Sequence, residues 1–178
     1  MLRAYYPDAY AESVFDIDFQ KLYDRGFRGL LFDIDNTLVH HGDDSNPKVD
    51  ALFRQLHDMG FQTYFVSDNG EERIRRFLRN IPSPYIANAG KPDPAGYRKA
   101  LDAMKLPTSQ AVFIGDQIFT DILGANRSGI PSILVHFIRA EGETAIGKRR
   151  YVEFGILWCW RHSRKALHRL GDIKKKEA

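Results

Sequence analysis

The chain has 178 residues, 43% of them hydrophobic and 28% charged, with a formal net charge of +3, which suits one soluble domain with a real core. The single cysteine, Cys159, excludes a disulfide framework and a cysteine-rich zinc site, so a reducing, cytoplasmic setting is expected. The opening MLRAYYPDAYAESVF lacks the continuous apolar stretch of a secretory leader, and the apolar run at 154–160 is far too short to span a bilayer.

In chain order, residues 29–34 (GLLFDI) read as the first buried strand. Residues 47–59 follow as a helix, with Val49, Leu52, Phe53, Leu56 and Met59 spaced along one face. The second strand is 61–67 (FQTYFVS). DNG at 68–70 could close a hairpin, but EERIRRFLRN has helical periodicity, so 70–80 is a helix with Asn69 as its cap and Glu72 as the cap's partner. A short strand at 85–89 and a helix at 94–104 come next. The fourth strand is 111–115 (AVFIG), followed by a helix at 119–128 that Gly129 and Pro131 terminate. SILVHF at 132–137 is the fifth strand. Continuous apolar strands alternating with helices predict a doubly wound, Rossmann-like α/β fold: a parallel sheet of about five strands covered on both faces.

Charge divides the chain. Residues 148–178 carry ten Lys/Arg against three Asp/Glu, a net +7 that leaves the rest at −4. The expected division is a core at 1–147, including an N-terminal extension, and a basic tail at 148–178. On a helical wheel Val152, Ile156, Cys159, Ala166, Leu167 and Leu170 share one side of the tail. Arg161, Arg164, Lys165, His168 and Arg169 share the other, with Trp158 and Trp160 near the boundary. Such a helix suits an anionic lipid surface. Packing of its apolar side on the core is an equal reading, and nucleic-acid contact through Trp and Arg ranks below both.

Ligands of open α/β sheets sit beyond the C-terminal strand ends. There the sequence places Asp33 and Asp35, then Ser67 and Asp68, then Lys91 in GKPDP, then Asp116 with Asp121 close behind. Each alone has a bland reading as a loop acid, helix cap, surface lysine or turn. Together, at four successive strand ends, carboxylates, a hydroxyl and a lysine suit a magnesium-bound phosphate, because Mg²⁺ takes hard oxygen ligands.

The order D-x-D-x-T-L, Ser, Lys-Pro, G-D-x-x-x-x-D over residues 29–137 resembles the haloacid dehalogenase (HAD) superfamily of phosphohydrolases. DIDNTLV, GDQIFTDILGANRSG and the N-terminal YYPDAYAESVFDID resemble its YqeG-type group in subfamily IIIA, whose relatives include phosphatidylglycerophosphate phosphatases. The resemblance implies that Asp33 is the nucleophile, forming an aspartyl-phosphate, and that Asp35 is the general acid and then the base for water. It implies Mg²⁺ held by Asp33, the Asp35 carbonyl and Asp116, with Asp121 at the metal directly or through its water. It also implies phosphate binding by Ser67, the Asp68 backbone and Lys91.

Asp35 disfavours dehalogenase chemistry, and no P-loop motif occurs. The histidines lack ligand spacing and read as surface or loop residues. Asp68 stands where that group commonly has Asn, and its carboxylate is expected to face outward. The segment NTLVHHGDDSN leaves room only for a flap, so the site is capless and open to large phosphate esters. The expected activity is Mg²⁺-dependent hydrolysis of a phosphomonoester, with phosphatidylglycerophosphate in phospholipid synthesis as the leading substrate. The expected location is cytoplasmic, peripheral on the inner face of the membrane. The alternatives are a soluble or nucleic-acid phosphomonoester, or a non-catalytic HAD-like binding protein.

Overall fold

The computed structural model describes residues 2–139, 142, 147–163 and 169–175. Six strands form one parallel sheet: β1 (Ala9–Ala11), β2 (Gly29–Phe32), β3 (Gln62–Val66), β4 (Tyr85–Ile86), β5 (Ala111–Gly115) and β6 (Ser132–Val135), in the order β1-β6-β5-β2-β3-β4. The expected five are present. The sixth, β1, is a three-residue edge strand registered on β6 with Ala9 opposite Ile133. Three residues are too few for any periodicity to reveal.

Alternation between two buried faces explains the largely apolar sequences of the central strands. Leu30, Phe32, Phe65, Val112 and Ile114 face one layer, with Val49, Phe53, Leu56, Ile74 and Phe77 from α2 (Pro47–Asp58) and α3 (Glu71–Phe77). Leu31, Tyr64, Val66 and Phe113 face the other, with Tyr97, Ala100, Leu101 and Ala125 from α4 (Pro94–Met104) and α5 (Leu123–Arg127). Both faces are buried, so the strands are apolar apart from Gln62 and Thr63 at the start of β3 and Ser132 at the start of β6. A short helix, α1 (Phe19–Asp24), precedes β2. Between β2 and α2 there is only a loop with a bridge from Asp35 to Val39, as the capless expectation requires.

Two helical expectations shift. Gly70, not Asn69, caps α3, with no side-chain hydrogen bond, because Asn69 is used elsewhere. The helix expected at 119–128 begins as a π-helical turn, Ile118–Ile122, and becomes regular at α5.

The described tail residues lie on the core. The helix α6 (Lys148–Arg161) buries Glu153, Ile156 and Trp160, while Val152, expected on the inner side, is 56% exposed. Leu170 and Ile173 are buried in the main cluster. Arg169 grips the buried Asp8 with Nε and Nη2, at 2.6 and 2.7 Å. Ala166 and Leu167 lie outside the described residues.

Candidate active site

The strand order reverses about β2: the chain moves outward through β3 and β4 on one side and through β5 and β6 on the other. Asp33 follows directly on β2, where its N–H donates to the Ile114 carbonyl at 3.0 Å. Asp116 follows directly on β5. The crevice of an open sheet at such a reversal is where ligands bind.

Asp33, Asp116 and Asp121 are all buried there, with a potential ligand oxygen from each lying within 4.8 Å of the others. Lys91, 3% exposed, donates from Nζ to Asp33 Oδ1 and Asp121 Oδ1, both at 2.8 Å. The other Asp121 oxygen accepts the backbone N–H groups of Asp116 (3.1 Å) and Gln117 (3.0 Å). The widened π-helical turn folds Asp121 back onto its own strand end. Gly115 is glycine because the Asp121 carboxylate lies where a Cβ would stand. Asp121 therefore holds both Lys91 and the β5 loop.

Ser67 Oγ accepts from Asn69 N and Nδ2, at 3.2 and 2.9 Å, so its own hydrogen is left to donate. Asp68 is exposed, and its Oδ1 accepts the N–H of Lys91 at 2.9 Å. Its carboxylate thus orders the Lys91 loop.

Asp35 does not join the cluster. Spacing of i and i+2 suggests one shared face, but β2 ends at Phe32, before either aspartate, and Asp35 meets a different set of groups. Its Oδ1 accepts from Gly42 N (3.2 Å) and Arg73 Nη2 (2.9 Å), and its Oδ2 from Asn69 Nδ2 (2.8 Å), with His41 Nδ1 at 3.1 Å. Arg73 also donates to the Asp43 carbonyl at 2.6 Å, and Arg76 pairs with Asp44 at 2.5 Å, pinning the 36–46 flap to α3.

Sequence reasoning missed four groups. Thr37 Oγ1 donates to Asp116 Oδ1 at 3.1 Å. Arg150 of α6 contacts Asp116 Oδ2 and donates to the Asp116 carbonyl at 2.6 Å. Glu153 accepts from Arg150 at 2.9 Å and from Ile118 N at 2.8 Å. Arg73 is the fourth. Thr37 is the threonine of D-x-D-x-T-L and was given no role of its own; for Arg73, Arg150 and Glu153, a polar residue on a helix gives no local sign that it turns back to a strand end.

The electrostatics follow from burial. Asp33 is pushed up to about 8 by desolvation, with Asp121 and Asp116 adding to the effect and Lys91 opposing it. Asp116 is pushed up to about 7 by desolvation and by Asp121, against Arg150. Burial works against the charge of Lys91, but Asp121 and Asp33 outweigh it and hold its proton more tightly than usual. Burial also opposes ionisation of Asp35, yet the hydrogen bonds from Asn69 and Gly42 and the charges of Arg73 and His41 keep its carboxyl below the ordinary value. The crowded carboxylates hold more negative charge than their partners neutralise. A hard-oxygen donor set with surplus charge fits a divalent cation such as Mg²⁺. An open cleft of about 710 Å³ beside the flap is walled by Phe15, Leu38, Val39, Ile138 and Arg76 among others.

A family model for haloacid dehalogenase-like hydrolases matches residues 41–129. Over 99% of this chain and 100% of its own length, the "Probable phosphatase YqeG" of Bacillus subtilis (strain 168) is 33% identical. The chain belongs to the haloacid dehalogenase-like hydrolases, and it is a phosphatase of that family. The chloroplastic phosphatidylglycerophosphate phosphatase 1 of Chlamydomonas reinhardtii is 26% identical over 84% of this chain, which spans 60% of that protein. Among solved structures, a HAD phosphatase from Thermococcus onnurineus shares the fold, with a TM-score of 0.53 at 14% identity over 68% of this chain and 90% of that one.

Proposed function

We propose that the protein is a Mg²⁺-dependent phosphomonoester hydrolase that works through an aspartyl-phosphate on Asp33, with phosphatidylglycerophosphate as substrate. The observation that carries the mechanism is the placement of Asp33: at the switch point, hydrogen-bonded to Lys91, and clustered with Asp116 and Asp121. Mg²⁺ held by Asp33, Asp116 and the Asp35 carbonyl would supply charge to the transferring phosphoryl group. Asp121 would act from behind, keeping Lys91 and the Asp116 loop in place. Ser67 would donate its hydroxyl hydrogen to a phosphate oxygen, and Lys91 would neutralise charge as the bond to Asp33 forms.

Asp35 would protonate the leaving alkoxide and then take a proton from water. Its ionised resting state suits the second role. The first requires that an arriving phosphate dianion raise its proton affinity, the direction expected of a neighbouring like charge. The Arg73, Asn69 and His41 donors then hold the carboxylate in place between the two steps.

A lipid substrate is supported by the named relative and by the short 36–46 flap that stands between β2 and α2 where an inserted domain would limit access. Peripheral contact with an anionic membrane through 148–178 is supported by the outer face of α6. Tyr151 and Trp158 are 64% and 63% exposed there, beside exposed Lys148 and Arg149. The described residues include no helix long and apolar enough to cross a membrane. The test is phosphate release with Mg²⁺ from a panel of lipid, sugar and nucleotide phosphomonoesters. Preference for the lipid is expected; hydrolysis of soluble esters alone would remove the lipid assignment and leave the mechanism standing.

A further inference from the structure

Arg150 reaches the carboxylate cluster from α6, outside the sheet. Its guanidinium is 13% exposed and lies over the Phe137 ring at 4.4 Å. Nη1 is held by the Asp116 carbonyl and by Glu153 Oε2, and Glu153 is fixed in turn by the Ile118 N–H. Nη2 is held by Asp116 Oδ2. The two ends therefore have different tethers. Those of Nη1 leave the Asp116 carboxylate free, while that of Nη2 is an atom a divalent cation would claim. With Thr37 on Oδ1, both carboxylate oxygens of Asp116 are engaged.

Charge balance gives this arrangement a purpose. With their carboxylates ionised, Asp33, Asp116, Asp121 and Glu153 face Lys91 and Arg150, which leaves two negative charges in excess. A divalent cation cancels that excess, so the loaded cluster no longer repels a phosphate dianion. Without Arg150 the loaded cluster would keep one negative charge and oppose the anion. Arg150 thus trades cation affinity for anion affinity.

We propose that Arg150 is a phosphate-binding residue of the loaded site. Asp116 holds its Nη2 until a divalent cation displaces it, and Nη2 then donates to a phosphoryl oxygen of the phosphomonoester while Nη1 keeps the guanidinium in place. A guanidinium anchored at one end retains an oriented donor for phosphate, which an ammonium cannot do. The inference rests on the reading of the site as a metal-dependent phosphomonoesterase.

Calorimetric titration separates the two. Mg²⁺ is titrated into the wild type, Arg150→Gln and Arg150→Lys, and inorganic phosphate is then titrated into each Mg²⁺-saturated protein. Arg150→Gln should bind Mg²⁺ at least as tightly as the wild type and phosphate at least about tenfold more weakly, the worth of one charge-assisted hydrogen bond. Arg150→Lys keeps the charge and guards against loss of the fold; it should bind phosphate several-fold more weakly. Wild-type phosphate affinity in either folded variant, or weakened Mg²⁺ binding in Arg150→Gln, overturns the assignment alone. A wild type that binds no phosphate with Mg²⁺ overturns the functional reading and the assignment with it.

Discussion

Asp33→Asn should abolish turnover and at the same time stabilise the metal-free protein at alkaline pH. The folded Asp33 carboxyl is pushed from 3.8 to about 8, which corresponds to an electrostatic penalty on the order of 5 kcal/mol. Because the folded value lies above the unfolded one, the penalty is absent below about pH 4, grows as pH rises, and is complete above about pH 8. The substitution also weakens the hydrogen bond from Lys91, at a cost of about 1.5–3 kcal/mol, although Asp121 remains to hold the ammonium. The net gain at pH 9 is roughly 2–3 kcal/mol, or about 5–10 °C in Tm for a chain of this size. At pH 5 Asp33 is mostly protonated and the gain should vanish. Thermal unfolding in chelator at both pH values measures this, and saturating Mg²⁺ should reverse the order by stabilising the wild type. A Tm difference that is the same at pH 5 and pH 9 would refute the account of crowded buried charge.

Asp68→Asn should leave KM within about twofold, since an amide oxygen can accept the Lys91 N–H as the carboxylate does; a large fall in KM would show that the carboxylate repels substrate. Gly115→Ala should cost about 1–3 kcal/mol, read as a lower Tm, because the new methyl overlaps the Asp121 carboxylate. Arg169→Ala should lower Tm by roughly 5–10 °C, because it strips the guanidinium from the buried Asp8 carboxylate and leaves it backbone N–H donors from Ser132 and position 169; an unchanged Tm would mean that the Arg169–Asp8 pair does not hold the 169–175 segment on the core. Arg73→Ala removes one of the charges that hold Asp35 ionised, so the acidic limb of the kcat–pH profile should move to higher pH; an unmoved limb would argue against Asp35 as the base.

The central strands were legible because each buries both faces, and largely apolar runs leading into Asp33, Ser67 or Asp116 stand out against any turn chemistry. The ends of those runs also located the cluster, since a parallel sheet delivers all its C-terminal ends to one edge. β1 was not legible because Ala9–Ala11 is too short to carry a pattern. Asn69 misled because Asn before a helix is an ordinary cap, and its alternative partners, Asp35 and Ser67, are a matter of tertiary placement. The spacing of Asp33 and Asp35 assumed that the strand continues, whereas β2 ends at Phe32 and the two carboxylates meet different neighbours. Arg150 and Glu153 were read as part of a charge-rich tail. Their contacts with Asp116 and Ile118 join positions 34 and 35 residues apart, beyond the reach of any local pattern.

The central claim is that Asp33 takes the phosphoryl group. Acid quench of the Mg²⁺-loaded enzyme turning over radiolabelled phosphatidylglycerophosphate, followed by peptide mapping, tests it most directly. The account predicts acid-stable, hydroxylamine-sensitive label on the peptide containing Asp33, and none in Asp33→Asn. Turnover that continues in Asp33→Asn, or label that maps to another peptide, would contradict it.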